Sequence, residues 1–305
     1  RPAPVGAERL RRNMRQYGML IALGLIVILF EIWTGGDLLL PRNVSNLVLQ
    51  NSYILILAIG MMLVIIAGHI DLSVGSLTAF VGAFAAVLTV SHHVAWPVAM
   101  VLCLLVGAAA GSVQGFLIAY LGIPSFIVTL AGMLLFRGLT EILLKGQTLG
   151  PFPDGLQKMG NGFLPEVGPN TNYHNLTLLL GIVLIAAVVW QEVRDRRRQQ
   201  EFSLDVLPAR LFALKLVALV AAILVLTLLL ASYKGAPVIL IVLAALVVGY
   251  GYVMRNAVFG RHIYAIGGNL PAAKLSGVKD KRVTFQVFLN MGVLAAWRVW
   301  WSPPA

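Results

Sequence analysis

Gly68-His69-Ile70-Asp71-Leu72-Ser73-Val74-Gly75-Ser76 sets a histidine, a carboxylate and two serines between two of the most apolar segments of the chain. Residues 47–67 before it and 72–90 after it are each close to the ~20 residues a helix needs to cross a bilayer. Almost nothing is left for the turn between them. At about 1.5 Å rise per residue both helices are needed at nearly full length, so the motif lies at headgroup depth or below. An ionisable residue there is costly unless it is paired, capped or wetted, which makes the stretch a candidate functional site.

Composition agrees with a membrane setting. Of 305 residues, 59% are hydrophobic and 11% charged, and the mean hydropathy is +0.87, whereas a soluble domain carries about 25% charged residues. The net charge of +11 would suit nucleic acid. Its basic residues, however, fall in a few short loops between apolar spans, where the positive-inside rule accounts for them. No nucleic-acid partner is expected, and membrane lipid is. The single Cys103 lies in an apolar run, so no disulfide framework or thiol metal site is expected. Arg9, Arg11, Arg12 and Arg15 precede an apolar run of span length without a small-residue cleavage site, which reads as a first span rather than a cleaved signal.

In chain order the apolar segments are 17–33, 47–67, 72–90, 98–121, a fifth reaching about 144, 174–190, 211–231 and an eighth ending near 254, with a ninth beginning near 283. The fold class is therefore all-α, a polytopic transmembrane bundle with eight complete spans plus the start of a ninth. It divides into a basic cytoplasmic arm (1–16), a transmembrane domain (17–296) and an aberrant tail (297–305). Loop 145–173 is rich in Gly, Pro and Asn and poor in Lys and Arg, as suits the outside. Placing the N-terminus in the cytoplasm puts loops 191–210 and 255–282 there too, and these are the Arg/Lys-rich ones. The same parity places the opening motif on the cytoplasmic side.

Few ionisable residues fall within spans. Arg137, Glu141 and Lys145 follow i,i+4 spacing and read as a ladder of ion pairs. Glu31 can reach the interface from the end of the first span. His92, His93 and His174 sit at loop edges and read as interfacial or solvated rather than as metal ligands. Asp71 has two compatible readings, an N-cap of the third helix accepting from Ser73 or Val74 and a group lining a pathway. His69 is a candidate proton-relay group without a second titratable partner in reach.

Within the second basic loop, Gly260-Arg261-His262-Ile263-Tyr264-Ala265-Ile266-Gly267-Gly268-Asn269 carries an unusually apolar patch and then a turn. A short helix over residues 270–276 follows, with Asn269 as N-cap, Pro271 in the first turn and Gly277 at the left-handed C-terminal position. A helix of that length must pack on something: either the loops of its own domain or a cytoplasmic partner.

These two stretches, with Gly60-Met61, Ile65-Ile66-Ala67 and Ala272-Ala273-Lys274-Leu275-Ser276-Gly277, resemble the membrane permease of bacterial monosaccharide ABC importers, the ribose, xylose and arabinose permeases and among them the multiple-monosaccharide type. The resemblance runs from about Tyr17 to Leu294. It implies a homodimer in the bacterial inner membrane, a cytoplasmic ATP-binding subunit docked on the loop helix, and a periplasmic sugar-binding protein on the outer loops. Gly260, Arg261, Gly267, Gly268, Asn269, Ala272, Ala273, Leu275 and Gly277 would then form the ATPase-coupling loop. The translocation path for neutral sugar would draw on Gln50, Asn51, His69, Asp71, Ser73 and Ser76. No catalytic residue, metal or cofactor is expected on this chain: it has no G-x-x-x-x-G-K-[ST] loop, so ATP is bound by the partner subunit.

The rival class is an ATP-independent secondary transporter or channel using His69 and Asp71 as a proton site. A membrane-embedded enzyme lacks a second carboxylate or nucleophile paired with Asp71. At the C-terminus, Trp297-Arg298-Val299-Trp300-Trp301-Ser302-Pro303-Pro304-Ala305 departs from the apolar, glycine-rich continuation that the resemblance implies. Suitable codons read one base earlier give an apolar run, so a frame slip near Ala296 is expected, and with it a chain that inserts poorly or transports nothing.

Overall fold

The computed structural model describes residues 18, 22–160, 162–168, 172–202, 206 and 208–301. The basic arm, the beginning of the first span and residues 302–305 lie outside them. The described chain is a helical bundle. Its helices are α1 (Ala22–Trp33), α2 (Pro41–Ile66), α3 (Val74–Ala86, prolonged by a widened turn Val87–Ser91), α4 (Trp96–Ala119), α5 (Ser125–Leu144), α6 (Asp154–Gly160), α7 (Asn175–Glu201), α8 (Ala209–Ala231), α9 (Val238–Asn256), α10 (Val258–Gly268), α11 (Leu270–Leu275) and α12 (Asp280–Trp297). Among the described residues, seven helices are long and apolar enough to cross a membrane: α2, α3 with its widened turn, α4, α5, α7, α8 and α9.

The chain folds as two units. The first comprises residues up to Leu47 and Leu164–Ala236, and its centre is the α7–α8 hairpin. Gly181 of α7 lies so close to Thr227 of α8 that a Cβ would collide with it. The helices extend past the expected spans, and α7 runs to Glu201, so much of loop 191–210 is helical. There Arg194 lies 5.2 Å from the centroid of Trp190 and Arg196 4.3 Å from that of Phe212, while Lys215 pairs with Glu192 at 2.7 Å.

His174 corrects the sequence reading. It is buried and caps α7: Nδ1 accepts from Thr177 N–H at 3.4 Å, and Nε2 lies 2.9 Å from the Leu164 carbonyl. Thr177 Oγ1 accepts in turn from Ala236 N–H at 2.8 Å. The ring ties a loop to a helix start, which pulls it out of solvent.

The second unit comprises Val48–Phe163 and Pro237–Ala305, and α12 is its axis. Val283, Val287, Phe288 and Met291 join one apolar cluster, Ala295 and Ala296 a second and Leu294 a third. Helix α4 meets α12 along Gly107, Gly111 and Gly115. A Cβ at Gly107 would strike Gly292 O, one at Gly111 Phe288 O, and one at Gly115 would come within 3.0 Å of Phe285 O. In lipid the hydrophobic effect does not drive helices together. Close backbone approach through small residues supplies the attraction instead. The ninth apolar segment is thus a helix starting at Asp280 that ends at Trp297 in a single tight turn, Arg298–Trp301, with the Arg298 guanidinium 3.8 Å from the centroid of the Tyr53 ring.

The expected ladder on α5 does not form. Among the described residues no ion pair within 4.0 Å joins Arg137, Glu141 and Lys145. Lys145 leaves the helix in a left-handed conformation, φ 52°, which turns its side chain out of register.

Candidate functional site

The break between α2 and α3 is where the second unit departs from regular helix. Helix α2 closes with Gly68 N–H on Ile65 O and His69 N–H on Val64 O, both at 3.0 Å. Gly68 takes φ +82°, open to glycine at no steric cost. The chain then runs unwound to Val74. Its free backbone groups are met by side chains of α5: Ile70 N–H donates to Ser125 Oγ at 3.2 Å, and Thr129 Oγ1 lies 3.3 Å from Ile70 O. Irregular backbone within a membrane bundle persists only where such partners or a wet cavity exist.

Asp71, buried to 5% exposure, sits in the break. Its Oδ1 accepts Ser73 N–H at 2.8 Å and Ser73 Oγ–H at 2.7 Å. Gln114 of α4 donates from Nε2 to Ser73 Oγ at 2.8 Å. Gly132 of α5 leaves the space the Gln114 amide fills, since a Cβ there would overlap Nε2. Ser76 Oγ donates to Ser73 O at 2.8 Å. The cluster lies level with Gln114 and Gly132, roughly 8–10 Å inside the adjoining ends of α4 and α5 at 1.5 Å per residue.

Replacing Asp71 by Asn keeps an accepting oxygen, whereas Leu leaves the buried Ser73 N–H without its acceptor at about 1–3 kcal/mol. Asp71→Asn is expected to retain folded protein in the membrane, and Asp71→Leu to lose most of it. Fluorescence size-exclusion of detergent extracts reads the difference. Equal loss in both variants returns the role to the charge itself.

His69 points the other way. Its Nε2 is 3.4 Å from Thr284 Oγ1 of α12, and it stacks obliquely on Phe288. It lines a cavity of about 500 Å³ with Tyr120, Gly267, Lys274, Lys281 and Thr284. The second sequence motif forms another wall. Gly267 of α10 rests on the last residue of α2, so that a Cβ would overlap Ile66 O. Ile263 and Ile266 are buried with Leu63, Val64 and Ala67. The two motifs, far apart in sequence, are therefore in contact.

The loop after α10 is built as its residues suggest. Asn269 Oδ1 accepts Ala272 N–H at 3.0 Å, and Gly277 takes φ +82°. Ala273 is buried in the core, and Leu275 stands 91% exposed. Gly260 lies where α9 turns into α10, too close to the Val253 and Met254 backbone for a side chain. Arg261 Nη1 donates to Asn256 O at 3.2 Å, and Gly268 faces open space. Gln50 and Asn51 are exposed on α2 roughly four turns before its end, and the structure does not bring them to the Asp71 cluster.

Gln114, Ser125, Thr129, Gly132 and Thr284 were not singled out from sequence. Gln114 had a signal: it is the one amide in the apolar run 98–121, and a polar group there is a functional candidate by default. No group of three or more His, Cys, Asp or Glu among the described residues could hold a metal.

A bundle of apolar helices with an unwound, side-chain-satisfied break, and α10 resting on the helix end beside it, is the architecture of a polytopic membrane protein. The chain belongs to the family described as the branched-chain amino acid transport system / permease component, whose model matches residues 43–297. It is 39% identical over 290 residues to the xylose transport system permease protein of Haemophilus influenzae, covering 93% of this chain and 74% of that protein. It is 38% identical over 285 residues to the xylose transport system permease protein of Escherichia coli K12, covering 93% and 70%. To the ribose import permease protein of the same strain it is 28% identical over 284 residues, covering 93% and 67%. No solved structure matches the chain. Membership among permease components does not favour the self-contained proton-driven transporter.

Proposed function

We propose that this chain is the membrane-spanning permease subunit of an ATP-driven monosaccharide importer of the bacterial inner membrane, with pentoses such as xylose as its substrates. The observation that carries this reading is the similarity to xylose permeases over 93% of the chain, a span that includes both contacting motifs. The chain works as a homodimer with its N-terminus in the cytoplasm, where the basic loops also lie. A separate cytoplasmic ATPase binds α11, and a periplasmic sugar-binding protein delivers sugar to the outer loops. This subunit binds no cofactor; ATP is held by its partner.

The coupling route follows the contacts. Closure of the ATPases displaces α11, α10 moves with it, and the Gly267–Ile66 contact passes the displacement to the end of α2. The break beside Asp71, Ser73 and Ser76 is the part able to respond, because its geometry rests on side-chain hydrogen bonds rather than on a helical ladder.

Proteoliposomes holding the permease, its ATPase and its binding protein are expected to take up labelled xylose only with ATP inside the compartment facing the ATPase. ATP-independent, pH-driven uptake by the permease alone overturns the reading. The exposed Leu275 is the docking contact of α11. Leu275→Glu is expected to reduce co-purification of the ATPase about tenfold or more, as loss of a buried interface anchor does, while leaving the permease's own melting temperature unchanged. Undiminished co-purification removes α11 from the interface.

A further inference from the structure

Helices α3 and α5 enclose a second cavity, about 440 Å³, beyond the Asp71 cluster. Gly75 and Ser76 on one side and Met133, Arg137, Thr140 and Glu141 on the other line it. Arg137 and Glu141 lie on a helix apolar enough to span the membrane. Both are exposed, and among the described residues neither makes an ion pair within 4.0 Å. Two exposed charges within a span are costly, and such residues mark water-filled paths or substrate routes.

We infer that this hollow is a subsite for sugar hydroxyls on the translocation path, with Arg137 as donor and Glu141 as acceptor. The inference rests on the importer reading and adds to it the site the sugar meets within the bundle. The donor and acceptor inventory matches a polyol. Arg137 offers several N–H donors and no acceptor, and Glu141 offers acceptors only. Ser76 Oγ–H is given to Ser73 O at 2.8 Å and Thr140 Oγ1–H to Phe136 O at 2.7 Å, so both hydroxyls present lone pairs to the hollow. Each hydroxyl of a sugar both donates and accepts and can satisfy this set together.

The two charges cancel, so the site neither attracts nor repels an ion as a whole. The volume lies in the range of small-molecule pockets. Ser76 connects the hollow to the break through Ser73, which places it where movement of the break changes its shape. A zwitterionic amino acid presents the same charge pattern and is the competing ligand.

The test uses the whole complex in proteoliposomes with Thr140→Cys. Cys103, the one native cysteine of this chain, is buried, so label from a water-soluble maleimide on the permease band reports residue 140 alone. We expect labelling that xylose slows severalfold and leucine does not. Absence of labelling in every nucleotide state places Thr140 against lipid or protein and overturns the inference, as does protection by leucine but not xylose. Arg137→Gln and Glu141→Gln are each expected to lower xylose uptake about tenfold, the scale of losing a charged hydrogen bond, with ATP hydrolysis by the complex retained. Uptake within about twofold of wild type in both, without xylose protection, also overturns it. If the wild-type complex moves no xylose, the importer reading falls, while the labelling and leucine arms still decide whether the hollow is a wet ligand site.

Discussion

Gly267→Val is expected to abolish coupled uptake while leaving the ATPase attached. The position tolerates no Cβ: one built there would overlap Ile66 O, the carbonyl of the last residue of α2. Neither side of that contact is a flexible side-chain end. Either α10 shifts away from α2 or α2 loses its final turn, and overpacking of this kind costs about 1–3 kcal/mol. That converts to a factor of about five to 150 in the balance between coupled and uncoupled arrangements. Leu275, the docking contact proposed above, lies beyond the Gly267 contact on α11 and stays exposed. The readout is therefore a split, with co-purification of the ATPase near wild type and ATP-driven sugar uptake down at least about tenfold. Gly267→Ala should fall between. Uptake of the valine variant within about twofold of wild type would falsify the route drawn here from loop to break.

The second large effect concerns the seam between α4 and α12. Gly111→Leu places a branched side chain against Phe288 O and Gly292 Cα, both of them main-chain atoms. Separating the helices surrenders the packing contacts that hold membrane helices together, and the loss spreads because α12 contributes to every apolar cluster of its unit. A cost of about 3 kcal/mol or more is expected, seen as a large drop in folded protein after mild detergent extraction. Gly249→Leu on α9, where nothing lies within 4 Å, is the matched control and should behave as wild type. A variant at Gly111 as abundant and as heat-resistant as that control would show that the seam is not a stability element.

What the sequence disclosed and what it hid follow a physical division. Local backbone chemistry was legible. The Asn269 cap, the left-handed Gly277 and the break at Gly68 were each announced by residues whose conformational preferences act over a few positions. The short helix expected over 270–276 is Leu270–Leu275 in the structure. Pairings across helices were not legible, because they depend on which faces meet. Gly107, Gly111 and Gly115 read as filler within an apolar run until α12 is laid against them. The Gln114–Ser73 bond joins α4 to the break and has no local signature. The ladder expected on α5 failed for the same reason: i,i+4 spacing permits an ion pair in an isolated helix and does not fix where the side chains turn once a cavity opens beside them. His174 looked solvated because the carbonyl and hydroxyl it binds belong to residues on either side of the turn it closes.

The borrowed hydrogen bonds of the break bear on how the chain enters the membrane. Ile70 N–H has Ser125 Oγ as its partner, and Ser125 is the first residue of α5. A nascent chain that has released α2, α3 and α4 but not α5 carries an unwound stretch whose Ile70 amide still lacks this partner. The break therefore reaches its final geometry only once α5 has joined α2, α3 and α4. The order of synthesis thus delays the closing of the α2–α3 turn until Ser125 and Thr129 are in place.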